Sequence, residues 1–167
     1  MRALWSTRGK RHGFATGPSL LVVDADHFKR YNDRYGHAVG DEVLKGLAGC
    51  LSASVHRPDD LVARVGGEEF VILLPETDAE GALRIASKLH EAVASLAVPS
   101  AGVSAGMVTV SIGLAVGPAG AALPNDLYRM ADEALYAAKE GGRNQTRCAP
   151  ACPDATSTLV MLRSTGT

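Results

Sequence analysis

Apolar residues along the chain recur in two rhythms, and each rhythm predicts an element. Residues 19–24 (SLLVVD) form a short β-branched run that ends in an acid, the pattern of a buried strand opening onto a polar site. From Asp41, the residues Val43, Leu44, Leu47, Leu51 and Val55 return at helical spacing behind a Gly40-Asp41 start signal. Two apolar segments, 61–65 and 70–74, flank Gly66-Gly67-Glu68-Glu69, a spacing suited to an antiparallel hairpin with the acids at its tip. A second helix is predicted over 78–96, with Ala82, Ile85, Ala86, Leu89 and Val93 on one face, Thr77 or Asp78 as its cap and Pro99 as its end. Val108, Val110, Ile112, Leu114 and Val116 then alternate with Thr109, Ser111, Gly113 and Ala115, which predicts a strand with one bulky and one small face. A third helix over 124–139 runs through Leu127, Met130, Ala131, Ala134, Leu135 and Ala138 and stops at Gly141-Gly142. Strand, helix, strand, strand, helix, strand is the ferredoxin-like split βαβ order: an α+β sheet with helices on one face, here followed by an additional C-terminal helix. That order makes the first strand and the hairpin neighbours, and so brings Asp24 beside Glu68 and Glu69.

Composition narrows the function classes. The 167 residues suit one domain, and 17 Lys+Arg against 18 Asp+Glu leave a net charge of -1, with no basic field to attract nucleic acid. No apolar run reaches the roughly 18 residues of a membrane span, and the first residues lack the apolar core of a secretory signal. Cys50, Cys148 and Cys152 are an odd set without metal-ligand spacing, which supports neither a disulfide framework nor a zinc site. A reduced, cytoplasmic setting is expected. After Arg147 the composition turns to Pro, Ala, Ser and Thr, and 148–167 is expected to be a disordered tail.

Asp24, Asp26, Glu68 and Glu69 form a candidate cluster of carboxylates, which repel one another unless a cation neutralises them. Hard oxygen ligands suit magnesium or manganese, and such a cluster suits two-metal phosphoryl or nucleotidyl transfer. Lys29, Lys139 and Arg143 are candidate phosphate contacts, although Lys139 and Arg143 also fit as ordinary partners of a helix C-terminus. Asn32, read as a loop residue, and Asp41, read as a helix cap, together offer donors and acceptors for a purine edge. His37 reads as a turn or loop residue and Cys50 as a small core residue. Neither a Walker loop nor a HExxH pair occurs, and the glycines of 101–106 follow no dinucleotide fingerprint.

In order, VVDADHFK (22–29), NDRYGH (32–37), GDEVL (40–44), RVGGEEF (64–70), SIG (111–113), ADEALYAAK (131–139) and GRN (142–144) resemble the motifs of the GGDEF-domain diguanylate cyclases over 19–147. The resemblance implies that Asp24, Glu68 and the carbonyl of Ala25 ligate Mg2+ or Mn2+, with Glu69 beside them as ligand or base. It implies that Asn32 and Asp41 recognise guanine and that Lys29, Lys139 and Arg143 contact the triphosphate. Arg64 would stabilise charge in the transition state, and Gly66 and Gly67 would let the backbone approach the nucleotide. The family reaction joins two GTP molecules into cyclic di-GMP with release of two pyrophosphates. One domain holds one GTP, so an antiparallel homodimer is expected to catalyse it.

Arg57-Pro58-Asp59-Asp60 fits the family's RxxD product-inhibition site. Lys88 stands where a second inhibitory arginine is often found, and lysine lacks the bidentate fork, so weakened inhibition by cyclic di-GMP is expected. Residues 1–18 do not reproduce the segment that usually precedes the first strand, and an upstream sensor domain or protein is expected as a partner outside this chain. The same motifs leave two alternatives: a non-catalytic signalling module that binds GTP or cyclic di-GMP, and a cyclase of another nucleotide.

Overall fold

In a computed structural model of the chain, residues 16–99, 107–118 and 125–150 are described. The expectations that fall on the N-terminal segment before residue 16, on the glycines of 101–106, on Pro124 and on the tail beyond residue 150, with Cys152, lie outside the described residues.

The run SLLVVDA shows no alternation because both of its faces are covered. It forms β1 (Ser19–Ala25), buried along its whole length at the centre of a five-stranded sheet. The other strands are β2 (Leu61–Arg64), β3 (Glu69–Leu74), β4 (Val110–Val116) and β5 (Thr146–Cys148), in the order β2-β3-β1-β4-β5. β1 pairs antiparallel with β3 and with β4, β2 antiparallel with β3, and β5 parallel with β4. The helices are α1 (Phe28–Tyr35), α2 (His37–Ser54), α3 (Ala79–Ser95) and α4 (Asn125–Glu140).

On one face of the sheet, Leu21, Val23, Ile72, Leu74, Val110, Ile112 and Leu114 pack against α1, α2 and α3. Each side chain fully buried there contributes about 1.5–3 kcal/mol. On the other face, Leu20, Val22, Leu73 and Ala115 meet Leu127, Ala131 and Leu135 of α4. Thus α4, the helix expected beyond the split βαβ unit, covers the face opposite the others, and the small side of β4 is its seat. A Cβ on Gly113 would stand 2.0 Å from the Ala131 carbonyl oxygen and 2.3 Å from the Leu135 nitrogen, so the helix rests directly on the strand.

Four local expectations change. Asn32 lies on α1, a short helix entered from His27 in the left-handed conformation (φ 58), and not in a loop. Gly36 (φ 84) separates α1 from α2, which begins at His37, so His37 is helical and Asp41 sits a turn inside α2 instead of capping it. α3 keeps its expected bounds: Asp78 caps it, accepting from the Gly81 N–H at 2.8 Å, and it runs to Ser95 with Leu96 as its C-cap, before a left-handed Ala97 (φ 50). Residues 146–148, assigned to the end of the domain and the start of the tail, form β5 on the free edge of β4, and Ala149 beyond it is buried. Cys50 is half-buried between α2 and α3, its thiol directed at the Ala92 carbonyl, and burial raises its pKa. Among the described residues, no helix is long and apolar enough to cross a membrane.

Candidate active site

The antiparallel register of β1 and β3 sets Asp24 opposite Glu69, and the Ala25 N–H donates to the Glu68 carbonyl at 3.2 Å. Three carboxyl-bearing residues therefore meet at one end of the central strand pair. From the other face, α4 delivers Lys139, whose Nζ lies 2.9 Å from Asp24 Oδ2. The Asp24 carboxyl is held above its ordinary range, chiefly by burial, with Lys139 opposing and the charges of Asp26 and Glu69 adding. Glu68 is raised as well, first by burial and then by the Asp24 charge. One lysine does not offset this crowding, and raised carboxyls of this kind are what a divalent cation relieves. Among the described residues, no three His, Cys, Asp or Glu side chains stand as a ready-made ion cage. An ion here would need backbone or ligand oxygens as well, which hard cations accept.

Tyr128 of α4, a residue the sequence did not single out, donates its hydroxyl to Glu69 Oε1 at 2.5 Å. That bond, with burial and the Glu69 charge behind it, pushes the tyrosine pKa up to about 12. Asp26, grouped above with the metal-facing acids, is instead saturated by protein donors. It accepts from Thr109 Oγ1 and Ser111 Oγ, each at 2.6 Å, and from the Asn144 N–H at 3.1 Å.

Arg64 donates to the carbonyls of Gly66 (3.1 Å) and Gly67 (2.7 Å) and so braces the hairpin turn. Among the described residues nothing stands within 4 Å of a Cβ placed on Gly67, and on Gly66 only Glu69 Cβ at 3.5 Å, so their packing does not require these glycines. The space before them is open. Asn32 packs across the α1–α2 bend against Gly40, the residue before Asp41: a Cβ on Gly40 would fall 1.8 Å from Asn32 Oδ1, and that buried oxygen has no hydrogen-bond partner among the described residues. Lys29 is exposed on α1. Arg143 follows α4 in a turn where Gly142 (φ 109), Arg143 (φ 64) and Asn144 (φ 45) are all left-handed.

Arg57 and Asp60 lie elsewhere. Arg57 donates to the Glu76 carbonyl (2.5 Å) and to Thr77 Oγ1 (3.4 Å), and the Thr77 carbonyl accepts from Ser19 at the start of β1. Five residues of strand, about 17 Å, separate Ser19 from Asp24, so this turn and the carboxylates occupy opposite ends of the sheet. Asp60 Oδ2 accepts from the Arg57 N–H at 3.3 Å, Asp60 Oδ1 is buried without a partner among the described residues, and Lys88 is exposed on α3.

A split βαβ sheet with an added helix, carrying convergent carboxylates and a lysine at the end of its central strand, is of the palm-like nucleotidyl cyclase class. The family profile "Diguanylate cyclase, GGDEF domain" matches residues 4–145, and the chain belongs to that family. "Probable diguanylate cyclase DgcT" of Escherichia coli (strain K12) is 46% identical over 133 residues, covering 75% of this chain and 28% of that protein. The chain thus spans less than a third of that relative's length. Its structure is similar to that of the active GGEEF domain of a diguanylate cyclase from Vibrio cholerae, with TM-score 0.70, 34% identity and coverage of 80% and 83% of the two chains. It is also similar to the GGDEF domain of DgcB from Caulobacter crescentus in complex with c-di-GMP, with TM-score 0.69, 33% identity and coverage of 80% and 78%.

Proposed function

We propose that this chain is a diguanylate cyclase domain that condenses two GTP molecules into cyclic di-GMP. The convergence of Asp24, Glu68 and Glu69 with Lys139 at one end of the β1–β3 pair carries this reading, and family membership supports it. In each half-reaction the 3'-hydroxyl oxygen of one GTP bonds to the α-phosphorus of the other, and the bond from that phosphorus to pyrophosphate breaks. Two such steps close the ring and release two pyrophosphates. Asp24, Glu68 and the carbonyl of Ala25 would hold Mg2+ or Mn2+, which when bound supplies charge neutralisation at the transferring phosphate. Glu69, with one oxygen held by Tyr128, keeps the other for the hydroxyl proton. Lys29, Lys139 and Arg143 hold the triphosphate, Asn32 and Asp41 read guanine, and Arg64 keeps the Gly66-Gly67 turn open to the nucleotide. Each copy binds one GTP, so two copies face each other in the active form. The turn of Arg57 and Asp60 binds product, with Lys88 as a weaker arm. A sensor outside this chain controls the pairing, and a GTP substrate places the domain in the cytoplasm.

Incubation of the protein with GTP and Mg2+ is expected to give cyclic di-GMP, identified by mass spectrometry, at a rate rising faster than linearly with protein concentration. A linear rise from protein that sediments as a monomer at the same concentrations would remove the homodimer, and bound GTP without product would leave a binding module. Gly40→Ala tests the guanine contact. The new methyl displaces the Asn32 amide, while helix propensity improves by about 1 kcal/mol, so the melting temperature should barely move. The KM for GTP is expected to rise about tenfold. An unchanged KM would remove Asn32 from the guanine pocket.

A further inference from the structure

Asp26 is 7% exposed, and the donors recorded on its carboxylate are two hydroxyls and one backbone N–H. A buried carboxylate is stable when donors satisfy it, and here they come from two separate parts of the fold. Thr109 and Ser111 bind it to the start of β4, a strand neighbour already bonded to β1 through the Asp26 N–H and the Thr109 carbonyl at 2.9 Å. The Asn144 N–H is the informative donor, since it comes from 118 residues away and from the turn after α4.

That turn holds Gly142, Arg143 and Asn144 in the left-handed region, which side-chain-bearing residues occupy only where their surroundings impose it. Within the turn, the Arg143 N–H donates to the Ala138 carbonyl at 3.0 Å and Gln145 Nε2 donates to the same oxygen at 3.0 Å. These bonds close the helix end on itself. The Ile112 N–H, donating to the Gln145 carbonyl at 2.9 Å, ties the turn to β4. The Asp26 bond ties it to the end of β1, two residues from Asp24.

We infer that Asp26 is a positioning residue whose carboxylate clamps the 142–144 turn to the end of β1 and so sets where Arg143 stands relative to Asp24. The inference concerns phosphate placement and rests on the reading of this site as one for GTP. The clamp itself is visible without nucleotide. In hydrogen exchange, Asp26→Ala is expected to speed exchange of the amides of 142–145 at least about tenfold while the amides of β1 and β3 keep their protection. Unchanged exchange in that turn would overturn the clamp, whether or not the protein binds GTP.

Its consequence is read in the Kd for GTP and in KM. Asp26→Ala is expected to raise both about tenfold with kcat within about threefold, and Asp26→Asn, which keeps an oxygen for the Asn144 N–H, to restore most of the loss. Combined with Arg143→Ala, the alanine at position 26 should add less than about twofold, because both changes remove one phosphate contact. Multiplying effects in the double variant would overturn the route through Arg143. A wild-type protein that binds no GTP, with the exchange result intact, would overturn the cyclase reading and leave the clamp.

Discussion

Glu68→Gln is expected to cut cyclic di-GMP formation about a thousandfold and to raise the melting temperature of the metal-free protein at pH 7. The two effects share one cause. Burial and the neighbouring Asp24 raise the Glu68 pKa above its ordinary 4.5, so the folded protein holds the proton more tightly than the unfolded chain does. For an acid shifted in that direction, stability falls as pH rises from the unfolded value through the folded one, and at pH 7 the charge opposes folding. Glutamine removes that charge, so the gain should be full at pH 7 and shrink as the pH is lowered into the carboxylate range. Melting curves from pH 4 to pH 8 test this. Mg2+ or Mn2+ should raise the melting temperature of the wild type and much less that of the variant. A variant that melts lower at pH 7 would show the charge to be compensated in the protein, and undiminished turnover would remove Glu68 from the site.

Gly113→Ala is expected to cost about 3 kcal/mol or more of stability, measured by urea unfolding, and Gly113→Val to prevent folding. A methyl there meets the Ala131 carbonyl oxygen, the Leu135 nitrogen and, at 2.9 Å, the Leu135 Cα. All three are backbone atoms that no rotamer change can move, so α4 must lift from the sheet. Since α4 carries Tyr128 and Lys139 and leads into the Arg143 turn, surviving Gly113→Ala protein should also lose activity. A loss under about 0.5 kcal/mol would show that α4 yields easily.

Elements that bury a regular stripe were legible before any coordinates. α3 shows a capping Asp78 and apolar residues at 3.6 spacing, and β1 is a β-branched run too short to be a helix. α1 was not legible, because FKRYNDRY is polar apart from Phe28, Tyr31 and Tyr35 and starts from a left-handed His27. β5 escaped because three residues carry no periodicity, and its pairing is created by the free edge of β4.

The candidate site divides in the same way. The motifs name Asp24, Glu68, Glu69 and Lys139, and strand order alone places Asp24 beside the hairpin acids. The structure separates Asp26 from Asp24, Glu68 and Glu69 through partners 83, 85 and 118 positions away, and it brings Tyr128 to Glu69 across 59. Local periodicity and residue chemistry determined every element but α1 and β5 and brought Asp24 to the hairpin acids, because those follow from burial and strand pairing. The partners of Asp26 and Glu69, and the face that α4 covers, were decided only by tertiary packing, because a hydrogen bond or a backbone contact between distant segments leaves no periodic trace in the chain.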